Sequence, residues 1–516
     1  MNTHPLSHEL SRRGFIQGTA GAATLATLMS LAACAPAAPN GGGAVLNGVL
    51  PGDEPVGWAE VKEALNKKLE AELGITYNPE FIPWANYAQN ELLKFTSGEP
   101  LDLALEARWL HMDQLLADGA LADLTEHWES GRFPELNATI DEQFVKYSRS
   151  QGTVRAIPQV NAVGAIAGFV LRQDLVEKYG NGEVTNYQEL EKFLYDVKQN
   201  ESGMIPFGLD AGYANNTLWA SPTGLFNEES WDTPGPVNQL SRNLAYMDPS
   251  GGATNSRPRP FWEGPGFEDS VKRVRKYFQD GIINQDAITA DQTSTWGQFS
   301  TGLYGSTVAV NDGGTTQRFA TIADSVPGAS IVEVMPFTAG LDAVIATNFV
   351  VANYVVAPAT SENVEQVMMF QNWLSKQENH DLVAYGIEGR DWNAVGDKEF
   401  EAISKYAFPT FALAWRVPLE RSVAGMIPSS KAWFDWAKDV SHFSTDPFSG
   451  FQFDQTPVSA ELAQLEAAYT QYVLPLAVGA VETTKGLSDM KSAMEGAGLE
   501  KVLDELKTQA DAFLAG

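Results

Sequence analysis

Apolar positions in the first third of the chain alternate between short continuous runs and spacings of three and four. Residues 44–50 predict a buried strand. Residues 58–73 follow with Val61, Leu65, Leu69 and Leu73 on one helical face and Gly74 as the stop, and residues 75–82 predict the next strand. The pattern repeats with a helix over 84–95, a buried strand at Leu101-Asp102-Leu103-Ala104-Leu105, a helix over 110–118 and a return at 119–124. Strands alternating with helices of this length predict a parallel α/β sheet.

From Gln151 the texture changes. Residues 152–158 read as a hairpin return and 165–171 as a strand leading into a helix over 173–179, with a further helix over 186–199. Residues 200–265 are rich in Gly, Pro, Asn and aromatics and predict loops around a concave surface. Helix returns at 267–279, strands at 305–310, 330–334 and 349–356, and helix again at 361–375. The C-terminal third predicts mainly helix, at 431–441, 459–473 and 488–514.

The N-terminus carries a different signal. Ser11-Arg12-Arg13-Gly14-Phe15-Ile16-Gln17 looks like a twin-arginine export signal, and residues 18–33 are uncharged and small or apolar. With so many Ala, Gly and Thr, that stretch falls short of the ~20 strongly apolar residues of an anchored span and reads as a cleavable segment. Leu31-Ala32-Ala33-Cys34 then resembles a lipobox, in which the Cys34 thiol takes a lipid and becomes the new N-terminus. Residues 1–33 are therefore expected to be a signal peptide. Residues 34–43 then form a lipidated flexible tether, since Ala-Pro-Ala-Ala-Pro-Asn-Gly-Gly-Gly has too little apolar content to pack. The expected location is extracytoplasmic, anchored by lipid to the cell membrane.

Removing the signal leaves about 480 residues, more than one hydrophobic core organises, so two lobes are expected. Formal net charge is −30 and the acidic residues are spread along the whole chain, which disfavours nucleic acid and strongly anionic ligands and suits a neutral polar one. Cys34 is the only cysteine, so the globule has no disulfide. The six histidines are scattered without metal-ligand spacing. No Gly-x-Ser-x-Gly elbow, Walker loop or dinucleotide fingerprint occurs, so neither metal nor cofactor nor catalytic residue is expected.

Several stretches in order carry a resemblance. Ser97-Gly98-Glu99-Pro100-Leu101-Asp102 is similar to a Gly-x-x-Pro-Asp strand, with Leu101 interposed, and Asp118-Gly119-Ala120-Leu121-Ala122-Asp123-Leu124 to a Gly-x-Leu-x-x-Leu stretch. Residues 152–158 resemble a Gly-Lys-x-Tyr-Ala-Ile-Pro hairpin, 298–310 a Phe-x-x-Gly-x-Ala-Ala-Met segment without its basic residue, and 356–378 a helix ending in Ser-x-Glu. The family so resembled is the extracellular solute-binding proteins of ABC importers, sugar-binding and similar to the maltodextrin-binding proteins. The Ala384-Tyr385-Gly386-Ile387-Glu388-Gly389-Arg390-Asp391-Trp392 stretch is similar to a lipoprotein subgroup with a longer C-terminal region.

The resemblance implies an α/β, two-lobed periplasmic-binding-protein-like fold of type II, with an interlobe cleft and hinge. Lobe one would be 44–160 plus 350–398 and lobe two 161–349 plus 399–516, with crossovers near 159–165, 346–353 and 397–403. It also implies a monomer that closes on a sugar or oligosaccharide and delivers it to ABC permease transmembrane subunits. A lipid-anchored carbohydrate hydrolase or lyase is the alternative, because carboxylate separation is not readable from sequence.

Ligands of such sheets sit beyond the carboxyl ends of the strands. The loop after 101–105 offers Glu106, Arg108 and Trp109: hydroxyl partners and a flat ring for the apolar face of a sugar. The same residues also read as an ion pair beside a core tryptophan. Asn311 and Asp312 before Gly313-Gly314 suit close hydroxyl recognition or an ordinary turn. Trp58, Trp84, Tyr213, Trp219, Trp392 and Trp415 are the other candidate aromatics, each equally readable as core. Arg416, set between Trp415 and Val417, requires a defined partner, either the ligand or a structural group.

Overall fold

The structure is a computed structural model, and it describes residues 43–515 apart from 108, 165, 181, 220–223, 233–243, 248–255 and 452. The signal residues Arg12 and Arg13, the lipidation candidate Cys34 and the ligand candidate Arg108 lie outside the described residues. Among the described residues no helix is long and apolar enough to cross a membrane.

The two main sheets use nine strands: β1 (Ala44–Pro51), β2 (Ile75–Ile82), β3 (Leu103–Ala107), β4 (Ile157–Gln159), β5 (Ala167–Arg172), β6 (Ile205–Gly208), β7 (Tyr304–Val310), β8 (Ile331–Val334) and β9 (Asn353–Val356). The first sheet has the order β2-β1-β3-β9-β4, with β1 parallel to β2 and β3, and β9 antiparallel to β3 and β4. The second has the order β8-β5-β7-β6, with β6 parallel to β7 and β5 antiparallel to both its neighbours.

Local sequence explains the first lobe well. Helix α1 (Trp58–Leu73) buries Trp58, Val61, Leu65 and Leu69 on one stripe and ends at Gly74, whose left-handed backbone (φ 69°) returns its N–H to the carbonyls of Leu69 and Glu70. Helix α2 (Trp84–Ser97) turns Tyr87 and Glu91, one turn apart, into the interior. Every residue of β3 is buried, as a strand covered on both faces must be.

Two large hydrophobic cores divide the chain at places other than those expected. The first gathers Leu46 through Ile166, then Met335, Phe337, Ala343, Ile345 and Phe349, and then Phe408, Ala412, Leu413, Trp433 and Phe443. The second runs from Ala167 to Val334 and resumes at Val458. Residues 335–349 and 399–443, expected in lobe two, therefore pack mainly with the first core. The cause is long-range pairing. The N–H of Val160 donates to the Trp415 carbonyl (3.4 Å) and Arg416 donates to Gln159 and Gln371, which holds the late segment on lobe one.

Two further expectations are corrected. The loop region 200–265 contains β6 and a small antiparallel pair, Ala245–Met247 with Pro258–Pro260. The single helix expected at 488–514 is two, Thr483–Gly496 and Leu499–Ala515, broken at Gly498 (φ 93°), a conformation other residues rarely adopt.

Candidate functional site

The chain leaves the first sheet at Gln159, level with the end of β3 at Ala107 because both pair with Asn353. It enters the second sheet at Ala167, level with the end of β7 at Val310. The N–H of Asn311 donates to the Ile166 carbonyl (3.2 Å), so the loop after β7 lies directly on this crossover. The carboxyl ends of the parallel strands in both sheets thus border one crossover region, where an α/β fold holds its ligands.

On the first sheet this edge carries a strip of aromatic rings. Trp84 opens α2 just beyond β2, and Trp109 lies in the loop beyond β3; they are 48% and 55% exposed, with ring centroids 6.0 Å apart. Phe411 stacks on Trp84 at 5.8 Å with planes 14° apart, and Trp415 meets Phe411 edge-on at 6.0 Å. Phe411 and Trp415 are half-buried and arrive on the late segment that the long-range pairing keeps on lobe one. The four rings form one apolar surface, partly open to solvent.

On the second sheet the corresponding loops are polar. The Asp312 Oδ1 accepts from the N–H of Gly314 (2.9 Å) and its Oδ2 from Arg318 (2.7 Å), whose guanidinium lies 4.5 Å over the Trp296 ring. Gly313 has a left-handed backbone (φ 81°), and a Cβ there would stand 3.2 Å from the Phe434 ring, so a small residue is required. In the loop after β6, Asp210 Oδ1 accepts from the N–H groups of Gly212 and Tyr213, and Gln292 donates to the Tyr213 hydroxyl (3.0 Å). Burial raises the Asp210 carboxyl above its ordinary range, with Asp291 adding to the effect, and pushes the Tyr213 hydroxyl up to about 12. Tyr213 is therefore neutral and free to donate or accept at neutral pH.

Other candidates prove structural. Trp58 is 2% exposed, packed between Phe81 (5.6 Å) and Phe408 (5.3 Å). Trp219 packs on Phe261 and Phe267, and Trp392 is buried with its indole N–H donating to the Gly386 carbonyl. Arg416 is buried, and its guanidinium donates to Gln371 (2.6 Å), Gln159 (3.1 Å) and the Trp415 carbonyl (2.6 Å), which are the defined partners its setting demanded. Asn311 is buried with Oδ1 accepting from the Ile166 N–H (2.6 Å). Its side chain fastens the crossover rather than facing a ligand.

Glu106 is also fully buried, and it holds the loop that bears Trp109 instead of facing outward from it. Its Oε2 accepts from the N–H groups of Ala107 (2.9 Å) and His111 (3.1 Å), the two ends of the turn that bears Trp109. Beside it stands Glu91 of α2, fully buried, with Oε2 at 3.3 Å from His111 Nδ1. Burial raises both carboxyls, and their proximity adds to the rise at Glu91. Sequence reasoning missed Glu91 and His111 because the three residues come from a helix, a strand and a loop, with no motif spacing. It also missed Phe411, Trp296, Gln292 and Arg318; the Gly313-Gly314 pair just ahead of Arg318 was the only local signal.

Comparison with known proteins agrees with this architecture. Residues 447–515, the last segment of the second lobe, match the family model of a domain of unknown function, DUF3502. A carbohydrate ABC transporter substrate-binding protein of Streptococcus pneumoniae serotype 4 is 25% identical over 492 residues, covering 93% of this chain and 92% of the relative. Among solved structures, the N-glycan transport solute-binding protein NgtS from Streptococcus pneumoniae aligns with a TM-score of 0.71 at 21% identity, over 92% of this chain and 99% of that one. The same protein in complex with Man1GlcNAc aligns at 0.63 and 21% identity, over 92% and 100%. The fold is that of the two-lobed solute-binding proteins. The full-length relative is, by name, a carbohydrate substrate-binding protein of an ABC transporter.

Proposed function

We propose that this chain is the extracytoplasmic solute-binding protein of an ABC importer and that it captures a carbohydrate, an oligosaccharide in particular, between its lobes. The observation that carries the reading is the open strip of Trp109, Trp84, Phe411 and Trp415 at the carboxyl edge of the first sheet. Pyranose rings present apolar C–H faces to such surfaces, and four adjoining rings offer more platform than one sugar covers. Tyr213, Gln292, Asp312 and Arg318 on the second lobe supply donors and acceptors for hydroxyls. The net charge of −30 suits a neutral ligand. The names of the relatives, a carbohydrate substrate-binding protein and an N-glycan transport protein, support the same choice over a carbohydrate-active enzyme.

A ligand that touches both lobes favours the closed form, so binding drives closure by its preference for the closed cleft. The closed monomer is then presented to the permease subunits. Export through the Arg12-Arg13 signal and lipidation at Cys34 would keep it at the membrane surface. Purified protein titrated with neutral oligosaccharides, with binding followed by calorimetry and tryptophan fluorescence and products by chromatography, tests the reading. Saturable binding with unchanged sugar is the expected result; turnover, or no binding across linear and branched neutral oligosaccharides, overturns it.

A further inference from the structure

Glu91 and Glu106, both buried, and the partly exposed His111 meet under the loop that bears Trp109 and are used by nothing proposed above. Its ligand atoms all lie within 4.8 Å of one another, with His111 Nδ1 at 3.3 Å from Glu91 Oε2 and 3.7 Å from Glu106 Oε1. Among the described residues, two buried carboxylate oxygens, Glu91 Oε1 and Glu106 Oε1, have no hydrogen-bond partner. Both belong to fully buried side chains, and Glu106 Oε1 is turned toward the His111 ring. An uncompensated buried carboxylate is costly, so a pair of them requires a cation or a proton between them.

We propose that Glu91, Glu106 and His111 form a binding site for one divalent transition-metal ion of the zinc type. A tetrahedral site with ligands about 2.0–2.2 Å from the metal has ligand atoms about 3.3–3.6 Å from one another, close to the 3.3 and 3.7 Å that separate His111 Nδ1 from Glu91 Oε2 and Glu106 Oε1. The imidazole nitrogen selects against calcium and magnesium, which take oxygen donors. The His111 side chain is 22% exposed, which gives the ion a path in from solvent, and the fourth position is left for water. Glu106 Oε2 already holds both ends of the 107–111 turn. An ion on Oε1 would tie that turn to α2 through Glu91, so occupancy would brace Trp109 from below. The site itself does not depend on what Trp109 binds.

The test uses the full chain made without a polyhistidine tag, stripped with chelator and titrated with ZnCl2 by calorimetry and thermal melting. One equivalent of Zn²⁺ is expected, with a raised melting temperature, and both Glu91→Gln and His111→Ala weaken binding by about tenfold or more. Glu91→Gln keeps the shape of the buried residue and His111→Ala alters a partly exposed one, so a fold loss common to both is not expected; their melting curves in chelator check this. Absence of binding by the wild-type chain, or equal binding by both folded variants, overturns the proposal and leaves the two carboxylates as a pair sharing a proton.

Discussion

Replacing Trp109 with alanine separates a ligand platform from a core residue. The ring is 55% exposed and its ring contact is Trp84 at 6.0 Å. Losing one exposed aromatic pair costs about 0.5–1.5 kcal/mol of stability at most. Stacking against a ligand is worth about 1–3 kcal/mol per ring, by analogy with bases on aromatic platforms, which is about 5- to 150-fold in affinity. Titration of the tightest-binding oligosaccharide by calorimetry, with chemical denaturation of the same sample, reads both quantities. Trp84→Ala should behave alike, since its ring is the centre of the strip and stacks on Phe411. If affinity stays within about twofold of wild type while stability falls by several kcal/mol, the rings are structural and the platform is misassigned.

Trp58→Ala is the converse case: the ring is 2% exposed between Phe81 and Phe408, so denaturation should show a loss of about 3–5 kcal/mol, and a loss below about 1 kcal/mol would contradict its core placement. Glu333 is buried, accepts from the Ser430 hydroxyl (2.6 Å), and is pushed by burial from an ordinary 4.5 up to about 7. Because the native state holds that proton more tightly than the unfolded chain, the contribution is full below about pH 4.5 and is lost as pH rises through about 7, a swing of about 3 kcal/mol. Glu333→Gln should therefore flatten the fall in stability between pH 5 and pH 8, and an unchanged slope would show that Glu333 does not cause it. Cys34→Ala should release the protein from membranes or leave it unprocessed, and a processed protein that survives a high-salt wash on the membrane would refute lipid anchoring.

Much of the fold was legible because its first third is locally determined: the stripe Val61, Leu65, Leu69 and the Gly74 stop predict α1 over the residues it occupies. What stayed hidden was decided at long range. β6 reads Ile-Pro-Phe-Gly, too short and too broken to declare itself, and it is held by parallel pairing to β7 about a hundred residues later. Trp58 and Trp84 show the limit at single-residue scale. Each is the first residue of a helix, yet Trp58 is enclosed by Phe408 and Trp84 is left open with Phe411 on one face. Both partners come from the same late segment, and nothing near either tryptophan announces it.

The displaced lobe boundary bears on how the site works. Trp84 and Trp109 come from the first pass of the chain through lobe one, and Phe411 and Trp415 from the last, so the strip is assembled from distant segments within a single lobe. Tyr213, Asp312 and Arg318 belong to the other lobe. The side chains that join the two at the crossovers are buried polar ones: Asn311 bonds the Ile166 backbone, and Glu333 of β8 takes the Ser430 hydroxyl of the helix Pro428–Lys438. Asn311 satisfies a backbone N–H at a point where the chain leaves a sheet, whereas Glu333 accepts from a hydroxyl and Arg416 donates to the amide oxygens of Gln159 and Gln371. Arg416 entered the ligand set as a charge between apolar neighbours and Asn311 as an amide before a glycine pair at a strand's carboxyl end, and the structure uses both to tie distant segments together. On the reading proposed above, lobe closure would change the distance between two preformed surfaces without rebuilding either, and a ligand lying on the rings of lobe one would gain the polar contacts of lobe two only on closing.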